Sequence, residues 1–116
     1  MRRFGVCILC GLLAVIVSLQ AHAILLSTVP AAHGTVRGPD IPFTLRFNSR
    51  IDAQRSRLTL FADNGAQASL EIEKQASADT LTALAKGLTT GPYLLRWQVL
   101  AADGHITRGE FGFQVR

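Results

Sequence analysis

Beyond residue 21 the sequence contains no sulfur. Its two cysteines, Cys7 and Cys10, and its one methionine, Met1, all lie in the first ten residues. A domain formed by the rest has no disulfide, no thiol redox chemistry and no thioether ligand, and must hold together by its apolar core. No acidic residue precedes Asp40, and the basic ones are scattered, with Arg50, Arg55 and Arg57 the nearest approach to a cluster. That is no nucleic-acid footprint. Phosphate-binding and dinucleotide glycine motifs are absent, as is a G-x-S-x-G nucleophile elbow. Aromatic residues are few, with one Trp and one Tyr.

The chain is 116 residues long, enough for one small domain. Its N-terminus reads as a secretory signal. Arg2 and Arg3 supply the basic start, Phe4 to Leu19 is uncharged and mostly apolar, and the small residues of Gln20-Ala21-His22-Ala23 follow. The apolar run is slightly short of the roughly 20 residues a membrane span needs; an uncleaved anchor is the alternative. The C-x-x-C spacing of Cys7 and Cys10 falls inside this run, where no redox fold exists, and Leu9 is too bulky for a lipoprotein cleavage site. The expected division is a signal peptide over 1–21 and a single domain over 22–116. Processing removes Arg2 and Arg3, so Lys+Arg falls from 12 to 10 against 8 Asp+Glu, and the net charge falls from +4 to +2.

The domain reads as all-β. Ile24 to Thr28 is a short apolar strand closed by Pro30, and residues 31–42, with Gly34, Gly38, Pro39 and Pro42, read as loop. Phe43, Leu45 and Phe47 alternate with polar residues. Leu58, Leu60 and Ala62 face Ala68, Leu70 and Ile72 across an Asp63-Asn64-Gly65 turn, which predicts a hairpin. Thr80 to Ala85, Tyr93 to Ala101 and Phe111 to Val115 complete about seven strands at a spacing typical of a sandwich or barrel. Trp97 and the stripe Phe43, Phe47, Phe111, Phe113 are expected in the core. Glu71 and Glu73 fall on a solvent face and read as solubilising.

The stretch with chemical content is Asp103-Gly104-His105, after the Tyr93–Ala101 strand. Asp-Gly is also an ordinary turn signal. In an extended chain, however, Asp103 and His105 leave on the same side and present one oxygen and one nitrogen to one ion. His22 is the other residue of interest. A cut after Ala21 makes it the first residue, so its α-amino group and imidazole chelate together; a cut after Ala23 discards it. With His22 retained, three nitrogens and one oxygen without sulfur suit tetragonal Cu(II). His33 reads as a loop residue, with an accessory ligand as the alternative.

These residues carry a resemblance. His22-Ala23-Ile24-Leu25-Leu26-Ser27-Thr28-Val29-Pro30-Ala31 is similar to the opening of the periplasmic copper-resistance protein C (CopC-like) family. Leu45-x-Phe47, and Leu88, Gly91, Tyr93, Leu95, Trp97, Val99, Asp103-Gly104-His105, Gly109, Phe113 and Val115, fall in that family's spacing. The resemblance spans nearly all of the chain after the signal. It implies a seven-stranded immunoglobulin-like Greek-key β-sandwich or barrel and cleavage before His22. It also implies one Cu(II) per chain, held by His22, Asp103 and His105. The methionine Cu(I) site of some members has no residues here. Two departures stand out: Asn48-Ser49 occupies the place of a common Ser-Glu, and the loop around His33 is one residue longer than usual.

The function expected is a monomeric, non-enzymatic periplasmic protein of copper resistance and homeostasis. It would buffer Cu(II) or hand it to a copper-transporting membrane or periplasmic protein, with no nucleic acid partner. The alternatives are a copper-dependent oxidase with a histidine brace and a metal-free interaction module. The first would need a broad substrate face, whereas the few aromatics here are expected in the core.

Overall fold

The computed structural model describes residues 23–116; the expected signal, residues 1–21, and His22 lie outside the described residues. The described chain is all-β, and its eight strands form two facing sheets. Strands β1 (Leu25–Val29), β3 (Ile41–Phe47) and β6 (Thr80–Ala85) make one sheet, in the order β1-β3-β6. The other runs β2-β8-β7-β4-β5, from β2 (Thr35–Val36), β4 (Ile51–Ala62), β5 (Gln67–Leu70), β7 (Gly91–Ala101) and β8 (Ile106–Val115).

Period-two alternation explains the layering, because each strand turns one face inward. In β3 the inward set is Ile41, Phe43, Leu45 and Phe47; in β7 it is Leu95, Trp97, Val99 and Ala101; in β8 it ends in Phe111, Phe113 and Val115. All are buried, and full burial of a Leu or Phe is worth about 1.5–3 kcal/mol. The aromatic stripe knits the sheets together. Phe47 meets Trp97 edge-on with ring centres 5.4 Å apart, Phe43 meets Phe113 at 5.5 Å, and Tyr93 stacks on Phe113 at 5.8 Å.

The eighth strand is β2, inside the stretch expected to be loop. It pairs in parallel with the end of β8 through Thr35↔Gln114 and Val36↔Val115. Around it Gln114 N donates to Gly34 O, Arg116 N to Val36 O and Gly38 N to Arg116 O. The segment thus occupies backbone groups that the outer strand of a sheet would otherwise leave open. Two residues are too few to show a period, so pattern reading missed them. Strand β4 also begins earlier than its apolar alternation suggested. Its pairing with β7 breaks between Asp52 and Arg57 and then resumes. In the break, Asp52 Oδ1 accepts from the amides of Gln54 and Arg55. The Ser56 hydroxyl donates to Asp52 O and accepts from Leu100 N. The predicted hairpin is present as β4–β5, with Leu58↔Leu70 and Leu60↔Ala68 in register.

Gly109 shows how tightly the β7–β8 pair is packed. It stands opposite Trp97, and a Cβ at Gly109 would collide with Trp97 Cζ2. Gly109→Ala should therefore destabilise the domain by about 1–3 kcal/mol, the usual cost of overpacking. Urea unfolding would show this as a lowered midpoint, and an unchanged midpoint would mean that the indole does not rest on this glycine.

Candidate metal centre

One end of the sandwich carries Asp103 and His105. There β7 turns into β8 through Ala102, Asp103 and Gly104, closed by hydrogen bonds from Gly104 N to Ala101 O and from Ala101 N to His105 O, both 2.9 Å. Gly104 has φ +90°, a conformation that side chains rarely adopt. The backbone is thus a tight turn, as the Asp-Gly signal predicts, and not the extended alternative. Asp103 and His105 meet by a different device. Asp103 Oδ1 accepts from His105 N at 3.0 Å, and Oδ2 lies 2.9 Å from His105 Nδ1. An Asp commonly folds back on the backbone two residues ahead in this way, and here the fold brings the imidazole along. The two side chains remain 32% and 41% exposed, respectively, so an ion in solvent can reach them.

This pair suits a metal in two ways. With the proton on Nδ1, Asp103 fixes the ring and directs Nε2 toward a ligand, as carboxylates do behind metal-bound histidines. Alternatively, the ion replaces the shared proton. Two donors each about 2.0–2.1 Å from one ion at a right angle stand about 2.8–3.0 Å apart, which matches the spacing between Oδ2 and Nδ1. Among the described residues, no group of three or more His, Cys, Asp or Glu is placed to hold a metal.

The first described residues lie at the same end. Ala23 is buried, and its carbonyl accepts a 3.1 Å hydrogen bond from the Thr107 hydroxyl, two residues beyond His105. Ile24 is gripped by Asn48, just past β3: Ile24 N donates to Asn48 Oδ1 at 2.7 Å, and Asn48 N donates to Ile24 O at 3.0 Å. The crossover from β3 to β4 passes beneath, with Arg50 O accepting from Ala102 N at 3.0 Å. Between these two anchors sits Ser49, whose hydroxyl is buried and has no hydrogen-bond partner among the described residues.

In the sequence the departure at Asn48-Ser49 signals only the loss of the acid at Ser49, and Thr107 carries no signal. Their roles depend on which residues the fold brings opposite them. Asp79, nearby under the crossover, has its carboxyl held below the ordinary range by hydrogen bonds from Thr80 and then Ser77. Its carbonyl accepts from Phe47 N, so it serves as a loop brace. His33 is far from this end. It adopts φ 62° and donates its amide to Gly112 O at 2.7 Å. Gly112 is seven residues along β8 from His105, about 23 Å at strand rise.

The architecture defines the class: a small two-sheet sandwich that presents a carboxylate–imidazole pair at one end. The sequence pattern of the CopC domain matches residues 25–116, and the chain belongs to that family. Protein YobA of Escherichia coli K12 is 29% identical over 102 residues, which covers 85% of this chain and 82% of that protein. The structure of CopC from Methylosinus trichosporium OB3b superposes with a TM-score of 0.75 at 28% identity, covering 81% of this chain and 93% of that one. PcoC, a methionine-rich copper resistance protein from Escherichia coli, shares the fold with a TM-score of 0.68 at 24% identity, over 83% of this chain and all of its own.

Proposed function

We propose that this chain is a periplasmic Cu(II)-binding protein of copper resistance and homeostasis. It takes one ion per chain through His22, Asp103 and His105, and buffers it or passes it to a copper-transporting protein. The observation that carries the reading is the position of Ala23. Consecutive Cα atoms are 3.8 Å apart, and the Ala23 carbonyl is bonded to Thr107, on the strand that follows His105. This tie, two residues beyond His105, supports a site shared between the N-terminal residue and the Asp103–His105 pair. Membership of the CopC family supports the same reading, and the structural neighbour PcoC is named for copper resistance.

The donors favour Cu(II). With the cut after Ala21, an α-amine, two imidazoles and a carboxylate are available, and no cysteine or methionine remains downstream. Nitrogen and oxygen ligands in a tetragonal set suit Cu(II), whereas Cu(I) prefers thiolate and thioether. The ion is cargo. The chain's own part is to supply the donors, hold them at ligand spacing and leave the site open to solvent. The burial of Phe43, Phe47, Trp97, Phe111 and Phe113 supports binding over oxidation of a polymer, since those aromatics are committed to the core.

Export should yield a mature protein that starts at His22. Intact mass of the periplasmic form is the test. A start at Ile24 would remove the amine chelate and the imidazole of His22 together, and with them the complete site.

A further inference from the structure

We propose that Asn48 and Thr107 are positioning residues of this metal site, together forming a clamp that sets the N-terminal half of the site against the half carried by the β7–β8 turn. The inference rests on the copper reading above. Its basis is a set of three hydrogen bonds that lie outside the regular strand pairing. Strand β1 begins at Leu25, paired with Phe47 of β3. Before it, the Asn48 side chain replaces a neighbouring strand's carbonyl and takes the Ile24 amide at 2.7 Å, while the Asn48 amide returns a bond to Ile24 O at 3.0 Å. On the other side, the Thr107 hydroxyl takes the Ala23 carbonyl at 3.1 Å. Residues 23 and 24 are thus tied to both sheets, and one tie lies on the strand that begins next to His105.

Burial alone does not explain holding this segment. Ala23 is buried but brings only a methyl group, and Ile24 leaves 57% of its surface exposed. The chain ahead of β1 would ordinarily fray, as termini do. Fixing one residue's backbone corresponds to about a 5- to 30-fold change in an equilibrium. In a site assembled from two half-sites, that ordering appears as effective concentration of one half at the other. Each half-site has its own donors: the amine and imidazole of His22 in one, the Asp103–His105 pair in the other. The clamp acts only on the joining of the two.

The test is a double-mutant cycle on the mature protein, read as Cu(II) affinity by competition with a chromophoric chelator. Asn48→Ala should weaken binding about 10-fold, and Thr107→Val, which keeps the shape and removes the donor, should weaken it several-fold. Asn48→Asp keeps an acceptor oxygen and should restore most of the loss. In a His105→Ala background, adding Asn48→Ala should cause no further loss, because the remaining half has nothing to be positioned against. Thr107→Val, placed in the same cycle, repeats the test should Asn48→Ala fold poorly. Wild-type affinity for both clamp variants, with His105→Ala still weak, would overturn the clamp and leave the copper reading intact. Equal losses from Asn48→Ala in both backgrounds would also overturn it, since the effect would then not pass through joining the halves. Wild-type affinity for His105→Ala would instead overturn the copper reading itself.

Discussion

A single residue added ahead of His22 should weaken Cu(II) binding by roughly a hundredfold or more, beyond the 10–100-fold typical of losing an outer-shell partner. The imidazole remains, but the α-amine becomes an amide, and the chelate ring it closed with the imidazole is lost. The extension should also change the pH profile. An α-amine ordinarily titrates near pH ~7.7–8.0, so at neutral pH it carries a proton that copper must expel. Protons compete with the metal, so affinity falls as pH drops and rises as pH climbs. The native form should gain affinity steeply between about pH 5 and 8, and the extended form should show a flatter slope. Paired competition titrations across that range measure both effects. Equal affinity and equal slope for the two forms would remove the amine from the site.

His105→Ala should bring a loss of similar size, because it takes away a nitrogen donor and also dissolves the 2.9 Å pairing that holds Asp103 in place. Asp103→Asn should cost less, roughly 10- to 100-fold, since an amide oxygen still occupies the position and can still accept from His105 N. His33→Ala should leave affinity unchanged, because its backbone is fastened to Gly112 at a distance along β8 that its side chain does not span. These three variants, measured side by side at one pH, separate the site from the other histidine of the described chain. Comparable losses at His33 and His105 would contradict the assignment.

The fold was largely legible because its inward residues are large and regularly spaced. Phe43, Leu45 and Phe47 in β3, and Leu95, Trp97 and Val99 in β7, announce period two without ambiguity. What escaped was structure made by polar and small residues: β2, with two residues, and the break in β4 organised by Asp52 and Ser56. In both places hydrogen bonds to backbone groups, from main chain at β2 and from side chains at the β4 break, decide the conformation and leave no hydrophobic pattern. At the site, Asp103-Gly104-His105 was legible as a pair of donors, but the route by which they meet was not. The Asp-Gly turn signal was present, but not that the Asp103 carboxylate folds back within that turn to meet His105, where an extended chain was the route considered for joining them. Asn48 and Thr107 carried no local signal, because a side chain that holds a distant backbone is recognisable only when the partner is known.

The most direct measurement is a competition titration of Cu(II) into the mature exported protein at neutral pH, with the metal-bound species counted by native mass spectrometry. The expected result is one tightly held Cu(II) per chain, abolished as a tight site by His105→Ala. Cu(II) held no more tightly by the mature protein than by its His105→Ala variant would contradict it.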